Sequence, residues 1–190
     1  MTRAGRGREP CAQMDARRLL DVVAHMADHG IPVWLDGGWA VDALLGAQTR
    51  PHDDLDLVTR AEDSARIVDA LRELGYAVAY DASPSCFVLV DAAGHQVDVH
   101  PAAMQPNGDG VYRMESGEAW VFPAAGFHGV GRVLGHEVPC LTPEVVLVNH
   151  TSGYELDEEH ERDVRALSVR YGLPLPEYAR APRRARPGSA

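Results

Sequence analysis

The feature that most constrains this chain is a run of alternating residues, Asp54-Leu55-Asp56-Leu57. Residues two positions apart on a β-strand lie on the same face, so the run predicts buried leucines and two carboxylates about 7 Å apart on the other face. Two carboxylates that point the same way repel each other unless a positive charge lies between them. Mg²⁺, which prefers hard oxygen ligands, is a suitable partner. The run therefore predicts a metal site on a strand.

A second motif precedes this strand. Apolar residues Val33–Leu35 predict a buried strand that leads into the pair Gly37-Gly38, and a helical pattern follows as far as Leu45. A glycine pair at the start of a helix can bring backbone N–H groups to a site where the helix dipole favours phosphate. A phosphate site beside a carboxylate pair indicates metal-dependent transfer of a nucleotide.

These motifs resemble the core signature of the polymerase-β-type nucleotidyltransferases. The fuller form, GGWAVD at 37–42 and TRPHDDLDL at 49–57, is similar to the small bacterial aminoglycoside and lincosamide nucleotidyltransferases. The resemblance covers roughly residues 15–175. It implies an α/β (α+β) protein with a polymerase-β-like fold, in which helices flank a small mixed sheet and a short helical segment follows. One position departs from the wider superfamily, because Gly38 stands where serine is usual and a backbone contact would have to replace the hydroxyl.

The resemblance also implies an enzyme and its cofactors. Such an enzyme uses Mg²⁺ and ATP, or another nucleoside triphosphate, and moves a nucleoside monophosphate onto a hydroxyl of a small antibiotic. Asp54 and Asp56 would be catalytic metal ligands, and Gly37 and Gly38 would bind the nucleotide.

A third carboxylate lies in a second alternating run, Gln96–His100, which places Asp98 and His100 on one face of a strand. In the family that the chain resembles, a carboxylate on a neighbouring strand completes the metal site or removes the proton of the acceptor hydroxyl, and Asp98 takes its position. A carboxylate beside other carboxylates has a raised proton affinity, which suits a base. A solvated strand aspartate is the alternative. His100 fits substrate binding and a structural hydrogen bond equally well.

Arg50 and His52 flank the first carboxylate pair and would face the nucleotide phosphates. The chain has no lysine, so Arg50 would act as a bidentate phosphate clamp. The alternative is an ion pair of Arg50 with Asp53 or Asp42. The dyad His52-Asp53 also occurs in metal-dependent phosphohydrolases, but there it lies on a helix, whereas here it precedes a strand.

The segment 149–155 joins two predicted helices, and a similar segment with His and Gly-Tyr occurs in the lincosamide branch. His150, Tyr154 and Glu155 would therefore bind the acceptor. The alternative is a polar joint between helices.

The charge of the chain bears on its partners. The chain has a net charge of −10. Residues 1–9 carry +2 and residues 180–190 carry +4, so the body between them must carry −16. An acidic body repels nucleic acid and attracts a cation, which gives an aminoglycoside a slight preference over a lincosamide as acceptor. The details of the motifs at 35–38 and 153–155 favour the lincosamide branch instead.

The domain organisation follows from composition and pattern. Residues 13–140 would form the nucleotidyltransferase core and residues 141–178 a helical segment packed on it, with disordered tails at 1–12 and 179–190. Within the core, the lack of a sustained period predicts a loop at 101–117 near the site, and Arg132–Val138 reads as a short strand.

No apolar stretch is long enough to span a membrane and no signal peptide is evident, which predicts a cytoplasmic protein, either monomer or homodimer. An alternative function is that of an antitoxin-like protein of the same fold, which binds or modifies a protein partner.

Overall fold

The computed structural model describes residues 12–150 and 158–175 of the 190-residue chain. Nine strands form one mixed sheet in this part of the chain. The strands are β1 Val33–Leu35, β2 Asp54–Arg60, β3 Ala77–Asp81, β4 Phe87–Val90, β5 Gln96–Met104, β6 Gly110–Arg113, β7 Ala119–Phe122, β8 Gly129–Val133 and β9 His136–Cys140. The helices are α1 Ala16–Asp28, α2 Gly37–Leu45, α3 Ser64–Glu73, α4 Pro143–Asn149 and α5 Glu158–Tyr171, with short 3₁₀ helices at Ala61–Asp63 and Ala124–His128.

Strand β2 lies at the centre of the sheet, whose order is β3-β4-β5-β2-β1-β9-β8. It runs parallel to β5 and antiparallel to β1. Leu55 and Leu57 are fully buried, as the alternating pattern predicts. The carboxylate strand is therefore anchored by a partner on each side and by the core beneath it.

The helices form two groups around the sheet. Helices α1 and α3 pack against each other, whereas α2 contacts β8, α4 and α5. The buried residues Leu19, Val22 and Met26 of α1 follow helical spacing, and the Asp15 carboxylate caps the start of that helix. None of the described helices is long and apolar enough to cross a membrane.

Helices α4 and α5 share the core of the sheet, since Val146, Val164 and Leu167 are fully buried in the same apolar cluster. A shared core does not separate the two parts, so the division into a core at 13–140 and a segment at 141–178 stays a prediction. Apart from residue 12, the two predicted tails fall outside the described residues.

Two predictions about local structure were wrong. The expected loop at 101–117 contains the end of β5 and all of β6, which pair with each other in an antiparallel ladder. The expected strand Arg132–Val138 is a hairpin, because Leu134 and Gly135 both have positive φ, as a two-residue turn of this kind requires. Strands β6, β8 and β9 have only four or five residues, which is too short for a sustained period in the sequence.

Candidate active site

A cleft of about 560 Å³ opens between the carboxylate strands, the start of α2 and helices α4 and α5. Hairpin β6–β7 closes its remaining side. Both Asp54 and Asp56 line this cleft.

Asp98 lies beside this pair on the neighbouring strand. In the parallel ladder of β2 and β5, Asp98 is the register partner of Asp56, and paired residues of adjacent strands project from the same face. The Asp98 side chain is buried, and the Gln96 amide donates a hydrogen bond of 2.6 Å to its Oδ1. The fold thus brings the three predicted carboxylates to one face of the central strands.

His100 supplies a basic group at this face. Its Nε2 lies 3.4 Å from Asp56 Oδ1, and its Nδ1 lies 3.4 Å from the Tyr112 hydroxyl. Burial opposes protonation, but the hydrogen bond to Asp56 and the charges of Asp56, Asp98 and Asp36 outweigh it, so the pKa of His100 is raised. A protonated His100 would offset part of the negative charge. Its predicted role in binding the substrate stays a prediction.

Gly37 allows the Asp56 carboxylate to approach the start of α2. Its φ of +61° is unfavourable for residues with a side chain, and a Cβ here would overlap Asp56 Oδ2 and lie 2.9 Å from Asp56 Cγ. Two separate features therefore require glycine at this position, the positive φ and the closeness of the Asp56 carboxylate. The contact joins the first motif of the signature to the second.

Gly38 has a different neighbourhood, which explains the departure from serine. A Cβ on Gly38 would lie 2.5 Å from Arg50 Nη2 and 2.6 Å from His52 Nδ1. The space that a serine side chain would occupy is filled by these two residues.

The structure places His52 beneath the start of α2, and its predicted role in binding the nucleotide stays a prediction. Its ring is buried, its Nε2 lies 2.6 Å from Asp42 Oδ2, and it packs 4.6 Å from the ring of Trp39. Thr49 donates a hydrogen bond of 2.6 Å to the other oxygen of Asp42. These residues of the signature hold the loop between α2 and β2 in place, and His52 does not line the cleft.

Arg50 lines the cleft, and its ion pairs reach residues that the sequence analysis did not consider. Its guanidinium group lies 3.1 Å from Asp163 and 3.6 Å from Glu159, both on α5. The alternative offered by the sequence, an ion pair with Asp53 or Asp42, did not include these two partners on α5. Arg50 ties α5 to the edge of the cleft, and its action as a phosphate clamp stays a prediction.

Two residues that the sequence analysis missed lie at the centre of the site. The Asn149 amide donates to both oxygens of Asp36, at 3.1 and 2.9 Å, and the Asp36 backbone N–H donates to the Asp56 carbonyl at 3.0 Å. Burial and the charge of Asp56 raise the pKa of Asp36, although the Asn149 hydrogen bond opposes this. The position of Asp36, directly before the glycine pair, was the one feature of the sequence that could have indicated its place in the site.

His150 lines the cleft next to this pair of residues, as expected for an acceptor-binding residue. It is buried, and its ring centroid lies 5.4 Å from that of His160. Burial lowers the pKa of His150, against the charges of Asp36 and Asp163. Its role in binding stays a prediction, and Tyr154 and Glu155 lie outside the described residues.

Hairpin β6–β7 gives the cleft an apolar side, whereas the side formed by the carboxylates is polar. We call this the apolar wall; it consists of Tyr112, Met114, Trp120 and Phe122. Glu118 is the acidic residue that the hairpin adds to the cleft lining. The Trp120 indole N–H donates to Asn149 Oδ1 at 3.0 Å, so the wall is bonded to the residue that holds Asp36.

Comparison with known sequences gives the same family along most of the chain. The aminoglycoside-2''-adenylyltransferase family matches residues 18–167. A lincosamide resistance protein of Staphylococcus haemolyticus is 31% identical over 149 residues, which are 78% of this chain and 89% of that protein. A 2''-aminoglycoside nucleotidyltransferase of Escherichia coli is 39% identical over 54 residues, 28% of this chain and 30% of the relative.

Solved structures agree with the predicted fold class. Lincomycin-bound LnuA, a lincosamide antibiotic adenylyltransferase, matches with a TM-score of 0.73 and 27% identity over 83% of this chain and 98% of that one. ANT(2'')-Ia in complex with adenylyl-2''-tobramycin has the same fold, with a TM-score of 0.65 at 21% identity over 82% of this chain and 88% of that one. The predicted nucleotidyltransferase fold is confirmed, and the chain belongs to the aminoglycoside-2''-adenylyltransferase family and is a nucleotidyltransferase.

Proposed function

We propose that this enzyme uses Mg²⁺ and ATP to transfer AMP to a hydroxyl group of a small antibiotic, and that the preferred acceptor is a lincosamide. The observation that carries the proposal is the cleft itself, in which Asp54, Asp56 and the start of α2 face the apolar wall. Nucleotide chemistry and acceptor recognition then fall on opposite sides of one cavity.

The carboxylates fit a hard divalent cation. Asp54, Asp56 and Asp98 offer only oxygen donors, and Gly37 lets the Asp56 carboxylate reach the helix start where phosphates would lie. These three residues would hold Mg²⁺, which when bound neutralises charge that develops on the transferring phosphoryl group and on pyrophosphate. The backbone N–H groups at the start of α2 would orient the triphosphate.

Asp98 is suited to take the proton of the acceptor hydroxyl. It is buried beside Asp56, and the Gln96 amide donates a hydrogen bond that fixes its orientation, so a carboxylate is held next to the proposed metal site. Direct binding of the metal by Asp98 is compatible with the same position. The two roles predict different behaviour of an asparagine variant.

The lining of the cleft favours a lincosamide over an aminoglycoside. A polycation would require several acidic contacts, whereas the hairpin supplies the apolar wall, Ala119 and only one carboxylate, Glu118. Lincosamides carry one amine and an apolar portion, which match this lining. Two acidic residues of α5, Glu159 and Asp163, are paired with Arg50, so part of the negative charge beside the cleft is already offset.

The experiment is a modification assay with a lincosamide and an aminoglycoside as competing acceptors. The purified protein is incubated with Mg²⁺ and each nucleoside triphosphate, and we expect a gain of one AMP on the lincosamide with ATP. Salt screens exposed charges within about 10 Å at 0.1 M. A lincosamide carries one amine and depends little on such charges, so its Michaelis constant should change little between low and high salt. Turnover of aminoglycosides alone, with a salt-sensitive Michaelis constant, would overturn the preference. Modification of neither would favour the alternative of a protein partner.

A further inference from the structure

A cluster of metal-ligating side chains lies outside the cleft, where α1 and α3 end side by side. His25 and His29 are four residues apart at the end of α1, and Glu73 is the last residue of α3. None of the three lines the cleft. One candidate ligand atom from each residue lies within 4.8 Å of the other two.

The distances within this cluster match a coordination shell. The Glu73 Oε2 atom lies 3.4 Å from His25 Nε2 and 3.2 Å from His29 Nε2. A tetrahedral zinc ion with bonds of about 2.0–2.1 Å holds its ligand atoms about 3.3 Å apart. An ion at the centre of the cluster would therefore need little movement of the three side chains.

The hydrogen bonds of the histidines leave their Nε2 atoms available as ligands. His29 Nδ1 lies 2.9 Å from the His25 carbonyl oxygen, which can only accept, so Nδ1 carries the proton and the lone pair of a neutral ring is on Nε2. A backbone carbonyl in this role is common behind metal-bound histidines. The Nε2 atom of His25 is buried and has no hydrogen-bond partner among the described residues.

The backbone that carries His29 is also held in place. The Arg66 guanidinium group donates to the His29 carbonyl at 2.8 Å, and it also pairs with Asp63. Arg66 belongs to α3, so the end of α1 is already bonded to the helix that supplies Glu73. A preformed arrangement of this kind lowers the cost of ordering ligands when an ion binds.

We propose that His25, His29 and Glu73 form a binding site for Zn²⁺, with water at the fourth position. Two imidazoles and a carboxylate are ligands that suit zinc and neighbouring transition metals rather than Mg²⁺. The ion joins the ends of α1 and α3 and stabilises the folded chain, because the unfolded chain lacks the assembled site. It takes no part in nucleotidyl transfer.

The experiment uses the untagged protein after treatment with EDTA, in the absence of nucleotide. Titration with Zn²⁺ should show one ion bound, with a rise in melting temperature of about 5–10 °C when zinc is present at a hundred times its dissociation constant. Co²⁺ serves as the spectroscopic probe, since a tetrahedral site with nitrogen ligands absorbs visible light strongly and an octahedral oxygen site does not.

Variants His29→Gln and Glu73→Gln, both at exposed positions, should each weaken Zn²⁺ binding at least tenfold and remove the Co²⁺ absorption. His136→Gln, which changes an exposed histidine on β9, is the matched control and should bind as the unaltered protein does. All three variants should keep normal transfer with Mg²⁺ and ATP. Unchanged zinc affinity in both site variants would overturn the proposal, as would zinc binding that is lost in Asp56→Asn and kept in His29→Gln.

Discussion

The carboxylate side and the apolar wall of the cleft are built differently. Asp54 and Asp56 line the cleft from β2, and Asp98 lies beside them, outside the lining, on β5, which pairs with β2 over seven consecutive positions in the middle of the sheet. The wall stands on β6 and β7, and β7 pairs with β6 alone among the described strands. The residues that we propose for the chemistry are thus fixed by the most constrained strands, whereas those proposed to contact the acceptor lie on a hairpin at the periphery of the sheet.

The two sides are nevertheless connected. Trp120 of the wall donates to Asn149, Asn149 donates to Asp36, and the Asp36 backbone donates to Asp56. A change in the wall can therefore alter the carboxylate side through three hydrogen bonds. The predictions below test how far the two sides act separately, beginning with the largest expected effect.

Asp56→Asn should reduce turnover by about a thousandfold or more, because metal-dependent charge stabilisation contributes several kcal/mol and each 1.4 kcal/mol is tenfold in rate. The melting temperature should stay the same or rise, since one of several repelling carboxylates is removed. Steady-state rates and thermal unfolding measure both effects. Asp53→Asn, an exposed neighbour, is the control and should keep its rate. Near-normal turnover of Asp56→Asn would show that the carboxylate side does not carry the chemistry.

Asp98→Asn separates the two roles left open for this residue. If Asp98 accepts the proton, the rate constant should fall by about 10²–10⁴-fold while Mg²⁺ and nucleotide bind as before. If it is chiefly a metal ligand, affinity and rate should fall together. Calorimetric titration with Mg²⁺ and ATP distinguishes these results, and an unchanged rate would reject both roles.

Trp120→Ala should raise the Michaelis constant for the acceptor roughly tenfold while that for ATP stays constant, because a buried aromatic contact contributes about 1–2 kcal/mol. Trp120→Phe keeps an aromatic ring in the wall but removes the hydrogen bond to Asn149. A lower turnover number of this variant would therefore measure the connection between the two sides. Val121→Ala, at an exposed neighbour, is the control. Equal effects on both substrates would contradict separate sides.

His150→Asn should change the pH dependence of stability by a small amount. Burial lowers the pKa of His150 below its ordinary value, so on acidification the unfolded chain takes up the proton before the folded chain does. The neutral, buried His150 therefore contributes to the free energy of unfolding above about pH 6.5, and this contribution is lost as the pH falls. The charged or titratable groups that act on it are Asp36, Asp163 and His160. Urea unfolding between pH 5 and 7.5 should show a shallower decline for the variant. An identical decline would mean that His150 is not held neutral in the fold.

The sequence by itself determined the carboxylate side. Alternation in β2 and β5 follows from the two-residue period of an extended backbone, and the glycine pair marks the start of α2, so both could be predicted from neighbours along the chain. The nucleotidyltransferase fold came from the resemblance carried by the same residues. The contact of Gly37 with Asp56 was not predicted, because the motif indicated only a phosphate site at the helix start.

Only the tertiary structure decided the partners of the remaining residues. Arg50 pairs with Asp163, 113 positions away, and Asp36 with Asn149, also 113 positions away, whereas local pattern offers Arg50 only nearby aspartates. His52 follows the same reasoning, because its burial against Asp42 and Trp39 depends on how the loop folds back over α2. Periodicity encodes which face of an element is buried, but contacts between distant segments are set only when the elements pack. That packing decided the position of the apolar wall and the hydrogen bonds that support Asp36 and Asp56.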